Sequence, residues 1–215
     1  MDREGNVAGG GTMNERELTE RIALIEAMMR AGRKTTEYWG WVFLLWGIAY
    51  LVAVAWSSLL PHGGGPLLAW PLTMIFAVLL TIGIARRRTR NKPRTELSRG
   101  MHAIWTAMGC GIFAFAFPVA FSGHFQAQSF MAAIEAMLGI AHMASGIFLR
   151  WPTQIVVGAL WWVAAIASAF VSTDNAVAII FLAATFVCMI GFGVYLMIRE
   201  SRDKARAQAA RVQHA

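Results

Sequence analysis

Charged side chains are scarce in this chain, and three of its connecting loops contain no basic residue at all. Only 14% of residues are charged, against 57% hydrophobic, where an ordinary soluble domain is roughly one-quarter charged. A soluble fold would need a polar shell, and too few polar residues are present to build one. Cysteine is nearly missing too. Cys110 and Cys188 both fall near the middle of apolar stretches, which excludes the disulfide framework of a small secreted scaffold. There is no phosphate loop, dinucleotide fingerprint, HExxH, CxxC or nucleophile-elbow motif. No removable signal peptide is expected, because the first forty residues are polar and the first apolar stretch is too long for a signal h-region.

What remains is a rhythm of six apolar stretches, read as 39–59, 66–85, 102–121, 129–149, 153–172 and 176–198. Each holds about 20 residues, enough at about 1.5 Å per residue to cross roughly 30 Å of hydrocarbon. Lipid offers no partner for backbone polar groups, so the spans must be helices. The expected fold is an all-α integral membrane protein. Three helical hairpins form a six-helix transmembrane bundle, preceded by an amphipathic cytoplasmic helix. Residues 1–12 should be disordered, with Ala8 followed by three glycines. Residues 13–36 form the amphipathic segment, 37–200 the transmembrane domain and 201–215 a basic tail.

All nineteen Lys and Arg residues fall before the first span, after even-numbered spans or beyond the last one. The other three loops have none. Basic residues near span ends stay cytoplasmic, so both termini are expected inside, with a bacterial inner membrane as the address. Arg86, Arg87, Arg88 and Arg90 sit at the end of span two and read as anchors to anionic lipid headgroups. The formal charge of +7 therefore calls for a bilayer rather than a nucleic acid. Tyr38, Trp39, Trp41, Trp105, Trp151 and Tyr195 cluster near the inner interface and Trp56 and Trp70 near the outer one, where amphipathic rings favour headgroup depth. Trp161 and Trp162 lie mid-span, and at least one should face the interior. Small-xxx-small pairs, Ala107 and Gly111 among them, and the Gly-x-Gly runs at 109–111 and 191–193 suggest close helix contacts.

The amphipathic segment has its own signals. Thr12 and Glu15 have capping-box spacing. Leu18, Ile22, Ile25 and Met29 follow at helical steps, with Glu17, Glu20, Arg21 and Glu26 off the stripe. Too charged to span, this helix should lie on the membrane face or dock a protein partner over residues 13–34.

One span breaks the membrane rules. Glu135 is the charged side chain well inside a span, and His142 lies seven residues on, nearly two turns, on the same face, with Gly139 between. An ionised carboxylate at this depth costs about 2.5–3.5 kcal/mol or more. It should point into the bundle, be protonated, or meet a cation or water. That face is the candidate site for a proton, a cation or a polar ligand, unless Glu135 is simply a neutral acid bonded to a neighbouring helix. Two weaker metal constellations stand in the sequence: His142 with Cys110 and Cys188, at similar depth, and His62, His124 and Asp174, one in each outer loop. A haem between His102 and His142 is disfavoured by their different depths. No cofactor is assigned. The first expectation for function is a non-enzymatic protein that works through partners as a sensor, regulator or assembly subunit. The alternative is a small transporter or proton-coupled carrier using Glu135 and His142, and a third is a membrane enzyme or metal-binding protein with an outer-loop site.

Overall fold

Apolar runs close into helices because each backbone group then finds its partner within its own segment. The computed structural model of the chain describes residues 17–27, 39–59, 65–89, 96–121 and 126–213, and no strand occurs among them. Helix α1 covers 17–27. The rest are α2 (Gly40–Leu59), α3 (Gly65–Thr89), α4 (Glu96–Phe121), α5 (Ala127–Phe148), α6 (Pro152–Phe170), α7 (Asp174–Thr185) and α8 (Phe192–Gln213). A π-helical segment, Phe186–Gly191, joins α7 to α8 without a break. Five of these helices and the continuous α7–α8 rod are long and apolar enough to cross a membrane. The protein is an all-α, six-span membrane bundle.

Sequence neighbours α2 and α3, α4 and α5, and α6 and α7 lie side by side, as the hairpin rhythm suggests. The most extensive contact, however, joins α5 to α6 across two hairpins. Their connection is a three-residue turn. The Trp151 amide donates to the Gly146 carbonyl at 2.7 Å and the Arg150 amide to the Ile147 carbonyl at 3.1 Å. Arg150, with φ of 48°, takes the left-handed position of this helix C-cap, and Pro152 opens α6, where its missing N–H costs nothing. Glycines set the approach of the two helices. A Cβ on Gly158 would stand 2.7 Å from the Met143 amide nitrogen and 3.0 Å from the Gly139 carbonyl oxygen, and one on Gly146 2.7 Å from the Ile155 nitrogen. A second glycine contact ties α2 to α8, where a Cβ on Gly193 would meet the Gly40 carbonyl oxygen at 2.8 Å.

The ends sort by charge. Arg88 stands over the Trp41 ring at 5.3 Å, Gly100 lies against the Phe148 ring, and Gly40 adjoins Gly193 and Leu196. Arg86, Arg87, Arg88, Arg99, Arg150 and Arg199 therefore share one end of the bundle. Helix α3 runs through its three arginines to Thr89, and α8 continues to Gln213, so two helices outlast the apolar spans read from the sequence. Arginine and lysine are good helix formers, and nothing in these segments stops the helix at the hydrocarbon boundary.

Helix α4 is peripheral. Apart from Met101, none of residues 98–119 is buried. This corrects the small-residue reading there: Ala107 is exposed, and Gly109 and Gly111 have no neighbouring helix within 4 Å of a Cβ. Gly191 faces outward as well, whereas Gly193 does make the close contact expected of it. Trp161 is fully buried, while Trp162 is 39% exposed. In α1, the stripe residues Leu18, Ile22 and Ile25 are all exposed, and Arg21 bonds Glu17 at 2.7 Å one turn back. The Thr12–Glu15 cap, Met29 and residues 1–12 lie outside the described residues.

Candidate functional site

The α5–α6 interface carries the polar residues of the core. The buried face of α5 includes Glu135, Gly139, His142 and Ser145, and that of α6 includes Gln154, Gly158, Trp161 and Ser168. Met143 lies opposite Gly158 and Gly146 opposite Ile155. The Trp162 indole donates to the Ala136 carbonyl at 3.3 Å, and the Gln128 amide to the Ala169 carbonyl at 2.7 Å. These pairs fix an antiparallel register. In that register the polar residues alternate between the helices from the basic end inward: Gln154, His142, Trp161, Glu135, Ser168. The fourteen residues from Gln154 to Ser168 span about 21 Å of helix, so a polar side chain recurs roughly once per turn.

None of them is satisfied by the protein. Both oxygens of Glu135, both ring nitrogens of His142, both amide atoms of Gln154, the Trp161 indole nitrogen and the hydroxyls of Ser168 and Thr185 are buried without a hydrogen-bond partner among the described residues. The Ser168 hydroxyl approaches the Glu135 carboxyl but lies outside hydrogen-bond geometry. Elsewhere in the bundle the same groups are paired. Ser57, Ser58, Thr73 and Thr81 return their hydroxyls to the carbonyl four residues back, the usual recourse of a mid-helix hydroxyl. The Trp46 indole bonds the Thr81 hydroxyl and the Trp105 indole the Ser145 hydroxyl, each at 3.1 Å. Ser168, Thr185 and Trp161 stand apart from this pattern.

His142 sits in an aromatic box. Its ring stacks on Phe43 at 5.3 Å and meets Trp105 edge-on at 5.0 Å and Phe192 at 5.9 Å. Helices α2, α4 and α8 each supply one wall. Glu135 and His142, as expected, share the interior face of α5, and Gly139 between them is covered by the Trp162 ring and the Gly158 carbonyl. Thr185 closes α7 at the start of the π-helical segment, where the hydrogen-bond ladder shifts by one residue; such segments are often found at functional sites.

The other sequence candidates fare differently. His142, Cys110 and Cys188 do not form a metal site: no group of three metal-ligating side chains comes together among the described residues. Cys110 faces outward on peripheral α4, while Cys188 is buried in the π-helical segment. His102 is exposed beside Trp39, at 4.7 Å edge-on, and its Nδ1 lies 2.8 Å from the Ser98 carbonyl oxygen. Asp174 is exposed in the first turn of α7. Its proposed partners His62 and His124 lie outside the described residues, as does Arg90. Arg86, Arg87 and Arg88 are exposed at the end of α3.

Comparison with known protein families, with curated proteins and with solved structures finds no match to this chain. The site thus rests on its own chemistry. Sequence reading placed Trp161 or Trp162 in the interior without joining either to the site, and missed Gln154, Ser168 and Thr185. A signal was present: residues 154, 161 and 168 repeat the seven-residue step that joins Glu135 to His142.

Proposed function

We propose that this chain is a small proton-coupled carrier, with Glu135 as the group that takes up and releases the proton and His142 as its neighbour along the same face. The observation that supports this reading is the row of buried polar side chains without protein partners. Leaving such a group unpaired costs about 1–3 kcal/mol. Six side chains would together cost on the order of 10 kcal/mol, as much as the whole net stability of an ordinary domain. Their capacity is therefore met by water, an ion or a polar solute, which is what a proton step needs.

The test is proton movement in vesicles reconstituted with the full chain and loaded with a pH-sensitive dye. Under an imposed membrane potential, wild-type vesicles should acidify or alkalinise faster than empty ones. Glu135→Gln should bring the rate down to that of empty vesicles with thermal stability nearly unchanged. Equal rates for wild type and Glu135→Gln would refute the carrier. In this reading both termini are cytoplasmic and the address is a bacterial inner membrane, in keeping with the basic residues gathered at one end.

A second reading, a sensor, regulator or assembly subunit acting through partners, is favoured by α1, whose apolar stripe of Leu18, Ile22 and Ile25 is exposed. Removing residues 1–34 should then release co-purifying proteins while leaving the spans inserted. Full retention of those proteins would end that reading.

A further inference from the structure

A groove runs along the bundle between α2 and α3, and none of the seam's polar residues lines it. Its volume is about 460 Å³, within the roughly 300–1,000 Å³ of sites that hold small ligands. Trp41, Ile48 and Val52 line it from α2, and Thr73, Leu80 and Arg88 from α3. The walls are apolar except at the two ends. At one end Thr73 has its hydroxyl engaged by the Ala69 carbonyl at 2.6 Å, so it offers a ligand little. At the other, Arg88 lies over the Trp41 ring, with Arg86 and Arg87 exposed beside it. Stacking on a ring face leaves the guanidinium donors, which lie in its plane, free for an oxyanion. No carboxylate pairs with Arg86, Arg87 or Arg88 among the described residues.

We propose that this groove is a binding site for an anionic phospholipid, with the phosphate held at Arg88 and one acyl chain laid between α2 and α3. Charge complementarity selects the occupant, because the one polar seat in an otherwise oily trough is cationic and lies at headgroup depth. Length agrees: the fifteen steps from Thr73 to Arg88 make about 22 Å of helix, more than the roughly 15 Å half-thickness of the hydrocarbon core. An acyl chain anchored at Arg88 therefore has a wall along its whole extent. The site is independent of Glu135 and of any proton step.

The test uses the purified full chain, stripped of lipid in detergent and offered phosphatidylglycerol or phosphatidylcholine with identical acyl chains. Bound lipid is counted by native mass spectrometry. Wild type should retain phosphatidylglycerol in preference to phosphatidylcholine. Arg88→Gln should reduce that preference about five-fold, the value of one cationic contact near the surface, whereas Arg87→Gln, which does not line the groove, should change it much less. Ala49→Phe, which fills the groove, should lower retention of both lipids. Equal retention of the two lipids by wild type, or equal losses in Arg87→Gln and Arg88→Gln, would refute a site and leave only diffuse attraction. If Ala49→Phe does not assemble, the two arginine variants still decide. A second copy of the chain as the occupant would appear as dimers lost in Ala49→Phe without any lipid preference, and would refute the proposal too.

Discussion

Replacing Gly158 with alanine adds one methyl group to a close backbone-to-backbone contact between α5 and α6. The new carbon would stand 2.7 Å from the Met143 nitrogen, 3.0 Å from the Gly139 oxygen and 3.1 Å from the Met143 Cα. Carbon contacts are comfortable at about 3.5–4.0 Å. All three neighbours are backbone, so no side chain can rotate away and α5 and α6 must separate by most of an ångström. Overpacking of this kind costs about 1–3 kcal/mol. Alanine recovers about 0.5–1 kcal/mol as the better helix former, leaving a net loss of about 1–2 kcal/mol. For a chain of this size that lowers the thermal midpoint by roughly 2–8 °C, read by loss of the monodisperse peak after heating in detergent. Gly109→Ala is the matched control. It gains the same helix preference and meets nothing within 4 Å, so its midpoint should stay level or rise. If Gly158→Ala and Gly109→Ala behave alike, glycine contact is not what holds α5 to α6.

His142→Phe separates stability from function. Neither imidazole nitrogen has a protein partner among the described residues, and the ring lies in a box of Phe43, Trp105 and Phe192, so an apolar ring of similar shape should leave the thermal midpoint nearly unchanged. Proton movement in vesicles should fall at the same time, and a drop of several degrees in the midpoint would mean that the histidine has a protein partner. For orientation, single cysteines at positions 62 and 174 in a chain without Cys110 and Cys188 should react with an impermeant reagent from outside intact cells. Labelling at position 92 instead would reverse the assignment.

The fold was legible because water and lipid impose simple rules. Span length, basic flanks and aromatic placement each follow from one residue's preference for one solvent, and a single sequence displays them. Which helix touches which does not follow. Gly109 and Gly111 look in sequence like Gly139 and Gly146, yet one pair faces outward on α4 and the other carries the tightest interface. Without water between helices there is no hydrophobic force to mark the inward face, so small residues alone leave the partner undetermined. The π-helical segment at Phe186–Gly191 had no cue either, since its residues are as apolar as those of any span. Glu135 and His142 were legible for the opposite reason: polar groups at that depth are costly wherever the helix turns.

The seven-residue step explains how a polar row survives over such a distance. Helices crossing at a shallow angle keep a stripe of period 3.5 against each other, while a straight helix drifts about 20° per heptad. Over the two heptads from Gln154 to Ser168 the drift is about 40°, small enough for one interior face to keep all three α6 residues. The two α5 residues need one heptad only. Because α5 and α6 run antiparallel with glycines at the crossing, the two stripes interleave rather than collide, and each step of about 10 Å on one helix is interrupted by a polar group from the other. The continuity of the row is thus a property of the register, and it depends on the same glycines that hold the helices together.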